Sequence, residues 1–377
     1  MKLPLQITLL FMLGLESSCK STTKPQSADC DIGFLPCEDN MTECCEVICE
    51  DNYYNCGEFL TECCLDSTSH SFSWSIDTLG NYGSYLNDVW IVDENNIWVV
   101  GNIEFDEGEY NATIWNGSEW EFIGIYSNTL DLYIIWYFNE NNIWVTSHCF
   151  PYHWDGNTWT QYHLNNMGMP GVCAGSAIWA GSPDDMYFVG LNGSIVHYDG
   201  TNFEQLDSGT NIKLRSITGS GEHIWIAGYQ DFIGAILLEY RNNTFETVYF
   251  NPGNYWDVKP DSISGKTMAV WTNNPDSINV LTPSGIYRVP HGSTGEGKLT
   301  YNYWQGFPWS IGGNSNNDIF TGGDYSSIYH YNGSTFHKYN EFTGHISTHS
   351  IEMKGNLVCL VGEDYATGKA IIIRGIR

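Results

Sequence analysis

Basic residues are what this 377-residue chain lacks most. None occurs between Lys24 and Lys213, while 29 Asp and Glu fall in that interval, so it carries the whole formal net charge of -29 and the remainder is balanced. Such a surface repels nucleic acid and anionic lipid; it favours cationic partners or divalent cations, or serves solubility alone. Long apolar runs are missing too: after Leu3 to Leu15 no stretch is long enough to span a bilayer. Catalytic signatures are equally scarce, with no nucleophile elbow, no H-E-x-x-H and no phosphate-cradling glycine loop. That leaves only enzymes whose acids are gathered in space from separate loops.

What is present begins with a secretory pattern. Lys2 precedes the apolar run, and Glu16-Ser17-Ser18-Cys19 follows it, so residues 1–18 read as a signal peptide. Small residues before a cysteine resemble the lipobox of bacterial lipoproteins, although Glu16 stands where that family usually has Leu. The resemblance implies a lipidated Cys19 and an outer-membrane or cell-surface location, with ordinary secretion as the alternative. Residues 19–29 then form a linker.

The next segment, 30–66, repeats C-x6-C-x6-C-C with a period of 19: Cys30, Cys37, Cys44 and Cys45, then Cys49, Cys56, Cys63 and Cys64. Eight cysteines in an exported segment too small for a core read as a disulfide framework, against zinc binding by thiolates. The pairing is open.

From residue 70 onward a unit recurs about every 43 residues, which is the period of a propeller blade. Its first hairpin turns at Asp93-Glu94-Asn95-Asn96, Asn139-Glu140-Asn141-Asn142, Ser182-Pro183-Asp184-Asp185 and Ser315-Asn316-Asn317-Asp318, each before an apolar strand. Weaker versions at 219–223, 262–266 and 353–356 bring the count to seven. The second hairpin carries aromatic pairs five apart: Trp115/Trp120, Trp154/Trp159, Tyr198/Phe203, Tyr240/Phe245 and Tyr331/Phe336. Asn-Gly or Asp-Gly between most of them predicts type I′ turns with the two rings as diagonal neighbours on one face. The seventh unit stops after its third strand, and the unpaired stretch Phe72 to Asp77 has an outer-strand pattern, so pairing the two closes the ring and removes an open edge. The expected fold is an all-β, seven-bladed β-propeller closed by an N-terminal outer strand and preceded by a small disulfide-rich module.

The aromatic spacing and the glycine that ends the second strand, as in Phe320-Thr321-Gly322-Gly323, resemble Kelch-type propellers; Gly193 to Gly200 is similar to repeats of bacterial propeller lipoproteins. The resemblance implies a ligand face made of the loops between second and third strands and the connections between blades. On it the expected binding residues are Glu104, Phe105, Asp106, Glu107, Tyr126, His148, Phe150, Tyr152, Met167 and Met169. The carboxylates of residues 104–109 are either a calcium site or a solvated loop. Cys149 is a candidate partner for Cys173, and Cys359 reads as a buried free thiol. No cofactor is expected. Function reads as a monomeric binding module for an envelope or extracellular protein or glycan, touching membrane only through its lipid. The alternative is a propeller enzyme acting on carbohydrate.

Overall fold

The computed structural model describes residues 68–377 apart from 242, 254–257 and 302–305, together with four short strands between residues 34 and 65. Two compact units result, residues 1–67 and 68–377. In the first, Phe34–Cys37 pairs with Asn40–Glu46 and Tyr53–Cys56 pairs with Glu62–Leu65. Phe34 faces Glu46 and Leu35 faces Cys45; Tyr53 faces Leu65 and Tyr54 faces Cys64. The 19-residue sequence repeat is therefore a repeated hairpin whose first three pairs keep one register, with a shift at Cys37, which faces Asn40 where Cys56 faces Glu62. Cys19, Cys30 and Cys49 lie outside the described residues, as do the side chains of Cys37, Cys44, Cys45, Cys56, Cys63 and Cys64.

The second unit is a seven-bladed β-propeller, each blade a four-stranded antiparallel meander. Blades 1 to 6 span residues 85–123, 134–161, 173–206, 214–251, 269–301 and 308–338. Blade 7 combines Ile346–Lys354, Leu357–Asp364 and Lys369–Ile376 with Ser73–Leu79, whose Ile76 faces Ile373 in the closing pair. Side chains fasten this closure: Arg374 donates to Asp77 at 2.9 Å and its guanidinium lies 3.7 Å from the Trp115 ring centre, while Trp120 Nε1 donates to the same carboxylate at 3.0 Å. The chain's last residue is tied sideways as well. Arg377 makes a two-pronged pair with Asp318 of blade 6 at 3.0 and 2.8 Å. Burial alone would raise Asp318, but the hydrogen bonds from His330, Arg377 and Asn314 outweigh it and hold the carboxyl well below its usual range.

Strands form here because apolar residues alternate and the turns supply the right chemistry. Asn116, Asp155, Asp199 and Asn332 each accept from the backbone N–H groups two and three residues on, at 2.6 to 3.1 Å. The following glycines take φ near +90°. These are four-residue loops capped by the Asx side chain, not type I′ turns, since only the glycine is left-handed. As a result the aromatic pairs are direct cross-strand partners, not diagonal ones: Trp115 faces Trp120 and Tyr331 faces Phe336, with ring centres 5.4 and 4.5 Å apart.

Blade 5 is set differently from expectation. Its first hairpin turns at residues 272–276, between Ala269–Trp271 and Ser277–Thr282, and residues 262–266 belong to the connection before it. Asn273-Asn274-Pro275-Asp276 is the better turn sequence.

The buried apolar side chains group into seven clusters that fill the seams between blades. In the seam of blades 2 and 3, Trp144 is 1% exposed and stacks on His153 at 4.3 Å and Tyr162 at 5.6 Å. Where a second strand ends against the start of the inner strand, glycine recurs. A Cβ on Gly190 would sit 2.0 Å from the Cys173 carbonyl, and one on Gly362 1.9 Å from that of Ser347.

Candidate functional site at the channel mouth

The inner strands of all seven blades wall a central channel. Polar side chains in that wall are used to join blades. Asp88 of blade 1 accepts from the Ile135 backbone N–H of blade 2 at 2.9 Å, Ser216 of blade 4 accepts from Val270 of blade 5 at 3.0 Å, and Glu352 of blade 7 accepts from Ile91 of blade 1. Burial pushes Asp88 up to about 6 and Glu352 up to about 8, the charge of Asp88 adding to the latter. The two acids come from neighbouring blades and each is committed to the next blade's backbone.

Above them the channel opens into a cavity of about 430 Å³ on the face that carries the second-to-third-strand loops, lined from blades 1, 2, 3, 4 and 7. Its side chains are aimed by bulges. The register of the inner strand slips between Leu86 and Asp88, between Leu214 and Ser216, and between Thr348 and Ser350. One residue is left over each time, and those residues, Asn87, Arg215 and His349, all line the cavity. Asn87 Nδ2 donates to the Leu132 carbonyl of the connection to blade 2 at 2.7 Å. His349 Nδ1 donates to the Leu86 carbonyl of blade 1 at 2.8 Å, which leaves Nε2 toward Glu363 at 3.9 Å.

Blade 2 contributes a rigid loop. A disulfide joins Cys149, between its second and third strands, to Cys173 at the start of the inner strand of blade 3. His148 beside it holds φ of 53°, a left-handed conformation uncommon outside glycine, and meets the Tyr133 ring edge-on at 5.4 Å. Its carbonyl lies where a Cβ on Gly175 would be, at 2.0 Å.

Blade 4 contributes charge. Arg215 lies 4.1 Å from the centre of the Tyr229 ring and donates through Nε to the Tyr229 carbonyl at 3.2 Å. Lys213 is two residues away, its pKa lowered by burial and then by Arg215. Among the described residues neither makes an ion pair. Two adjacent, partly desolvated cations without a carboxylate are unusual in a chain of net charge -29.

Of the residues expected to bind, only His148 lines this cavity. Tyr152 and Met169, expected at the surface, are 2% and 4% exposed; they sit on the core side of their segments and pack in the seams flanking blade 2. Phe105 is half-buried against Tyr110 and Phe122, at 6.0 and 5.0 Å between ring centres, and Phe150 against His163 at 5.3 Å. Tyr126 and Met167 are exposed. Asp106 accepts from Asn81 at 2.8 Å, Glu104 from Asn102 at 3.2 Å, and Glu107 points to solvent. Among the described residues these carboxylates do not gather into a metal-sized group; that occurs elsewhere, at His223, Glu239 and His291. Asn87, Tyr133, Lys213, Arg215 and His349 were not legible as a site, because the bulges that aim them leave no mark in the repeat pattern. Lys213 as the first basic residue after Lys24 was the available signal.

No protein-family model matches the sequence, and no curated protein is significantly similar to it. Solved structures do match in fold. YCF48 bound to D1 peptide superposes with a TM-score of 0.58 at 14% identity, over 82% of this chain and 97% of that one. Virginiamycin B lyase from Staphylococcus aureus with quinupristin gives 0.61 at 14% identity, over 80% and 99%. The WD40 β-propeller domain of Doa1 gives 0.59 at 13%, over 81% and 98%. At such identities the likeness is one of fold, and this fold serves binding proteins and enzymes alike.

Proposed function

We propose that this propeller is an exported binding module which holds a protein or peptide partner on the second-to-third-strand face, with a carboxylate of the partner entering the channel mouth beside Lys213 and Arg215. The unpaired cations at the head of the channel carry this reading. A carboxylate there would form charge-assisted hydrogen bonds with a guanidinium already held against Tyr229 and would restore the solvation that burial removes from Lys213. The preorganised loop at Cys149 and the bulged Asn87 and His349 supply a rigid rim, which lowers the ordering cost of binding. That YCF48 takes a peptide on the same fold supports the reading. Export is supported by the disulfide between Cys149 and Cys173, which needs an oxidising compartment. In that setting, attachment through a lipid on Cys19 belongs to the same proposal.

The test uses an array of acidic and neutral peptides, each with a free and an amidated C-terminus. Peptides offering a carboxylate should bind the parent protein, and Arg215→Ala should weaken them at least about ten-fold, the worth of one charge-assisted hydrogen bond. Equal binding of free and amidated, acidic and neutral peptides, unchanged by Arg215→Ala, would refute it.

A further inference from the structure

In blades 2, 3 and 6 the residue that opens the second strand is joined by one hydrogen bond to a histidine on the third. His153 meets Asn142 at 3.0 Å, His197 meets Asp185 at 2.8 Å and His330 meets Asp318 at 2.8 Å. Blade 4 carries the same chemistries in exchanged places. His223 opens the second strand and Glu239 lies on the third, opposite Trp225, as His197 lies opposite Tyr187 and His330 opposite Phe320. Blade 5 then adds a third group, His291, the residue after its third strand Gly285–Pro290.

The three side chains offer ligand atoms that all lie within 4.8 Å of one another. The two imidazole ring centres are 3.4 Å apart. Glu239 is completely buried, with its Oε1 in direct ion-pair contact with Nδ1 of His291, while Nδ1 of His223 lacks a hydrogen-bond partner. The other oxygen of Glu239 has the Arg241 guanidinium 2.8 Å away. Elsewhere in the repeat two groups satisfy each other; here a third, the imidazole of His223 with its unpartnered Nδ1, meets the Glu239–His291 pair at the same spot.

We propose that His223, Glu239 and His291 form a binding site for a divalent transition metal, Zn²⁺ by its donor set, that clips blade 4 to blade 5. Two imidazole nitrogens and one carboxylate oxygen are the ligands zinc takes in three-residue sites that keep a fourth position for water, whereas calcium takes six to eight oxygens. Arg241 holds Oε2, and a metal would take the place of the direct contact between Oε1 and His291. The site lies at the ends of the strands away from the channel mouth, because His223 follows a first-to-second-strand turn. It does not depend on the peptide-binding proposal.

The experiment uses the full chain, stripped with chelator and kept non-reducing, and titrated with Zn²⁺ against a chromophoric chelator. The parent should bind one equivalent that both His223→Ala and His291→Ala lose, while His197→Ala, which breaks an ordinary pair of the repeat, keeps it. Zinc X-ray absorption of the unaltered protein, which does not rely on variants folding, should show imidazole in the coordination shell. Equal zinc stoichiometry in the parent and both blade 4–5 variants, or a spectrum without imidazole, would overturn the site.

Discussion

Glu352 shows most plainly how single residues hold this ring together. Its carboxyl is partly buried in the channel wall, with Lys354 two residues along and Asp88 near it, and it accepts from the Ile91 backbone of the next blade. Burial, and then the charge of Asp88, push it up to about 8, and burial pushes Asp88 up to about 6, so the folded protein keeps protons that the unfolded chain releases. An acid raised in the folded state costs stability as pH rises from its unfolded value, near 4.5 for Glu, through the folded one. Stability should therefore fall between about pH 5 and pH 8, at most about 1.4 kcal/mol per pH unit for one such group. Glu352→Gln keeps an acceptor for Ile91 but cannot ionise, so urea midpoints at the two pH values should lie closer together in the variant. The same separation in variant and parent would remove Glu352 as the cause.

At the scale of the element, hairpins were legible because their determinants are local. An Asx side chain that caps the two amides after it, a glycine behind it and a ring on either side suffice to set the outer hairpin, and all recur in sequence. Bulges were not legible. A leftover residue at Asn87, Arg215 or His349 is produced by the fit of an inner strand between its blade and the channel, and no local pattern announces it. Blade 5 differs for another reason: the Ser262 to Lys266 stretch resembles a turn, but the stronger turn sequence Asn273-Asn274-Pro275-Asp276 lies further on, and the seam packing of Ile278 and Val280 fixes the hairpin there. The loop at Cys149 is the element whose chemistry is most easily counted. Protein isolated from its native compartment and unfolded without reductant should alkylate at Cys359 alone among Cys149, Cys173 and Cys359. Burial raises the Cys359 thiol, so in the folded state it too should resist labelling. Intact mass of the same sample reports the eight cysteines from Cys30 to Cys64 and any lipid on Cys19. Free Cys149 and Cys173 would contradict an oxidising location.

On the scale of the whole molecule, the ring's closure was legible because a propeller is a repeat whose last unit must be completed, and the stretch before the first blade had the missing strand's pattern. The proposed binding face lies on the second-to-third-strand side that the sequence reading expected but, His148 apart, is built from other residues. Reading Tyr152 and Met169 as exposed failed, since most large apolar side chains of a blade are spent in the seams, and net charge says little about the few cations placed where strands converge. An acidic body with a basic mouth also sets the long-range field: the overall charge repels anionic partners, and only a group that reaches the mouth meets Lys213 and Arg215. The association rate should accordingly rise with moderate salt, which screens the net repulsion, while the dissociation rate rises as salt weakens the ion pair at the mouth. The most direct measurement places a photoreactive side chain at Leu191, 40% exposed on the cavity rim, and at Thr201, exposed in a third-to-fourth-strand turn at the other end of blade 3. With a carboxylate-bearing peptide from the array, Leu191 should yield the crosslinked adduct and Thr201 none; adducts from Thr201 and not from Leu191 would contradict binding at the channel mouth.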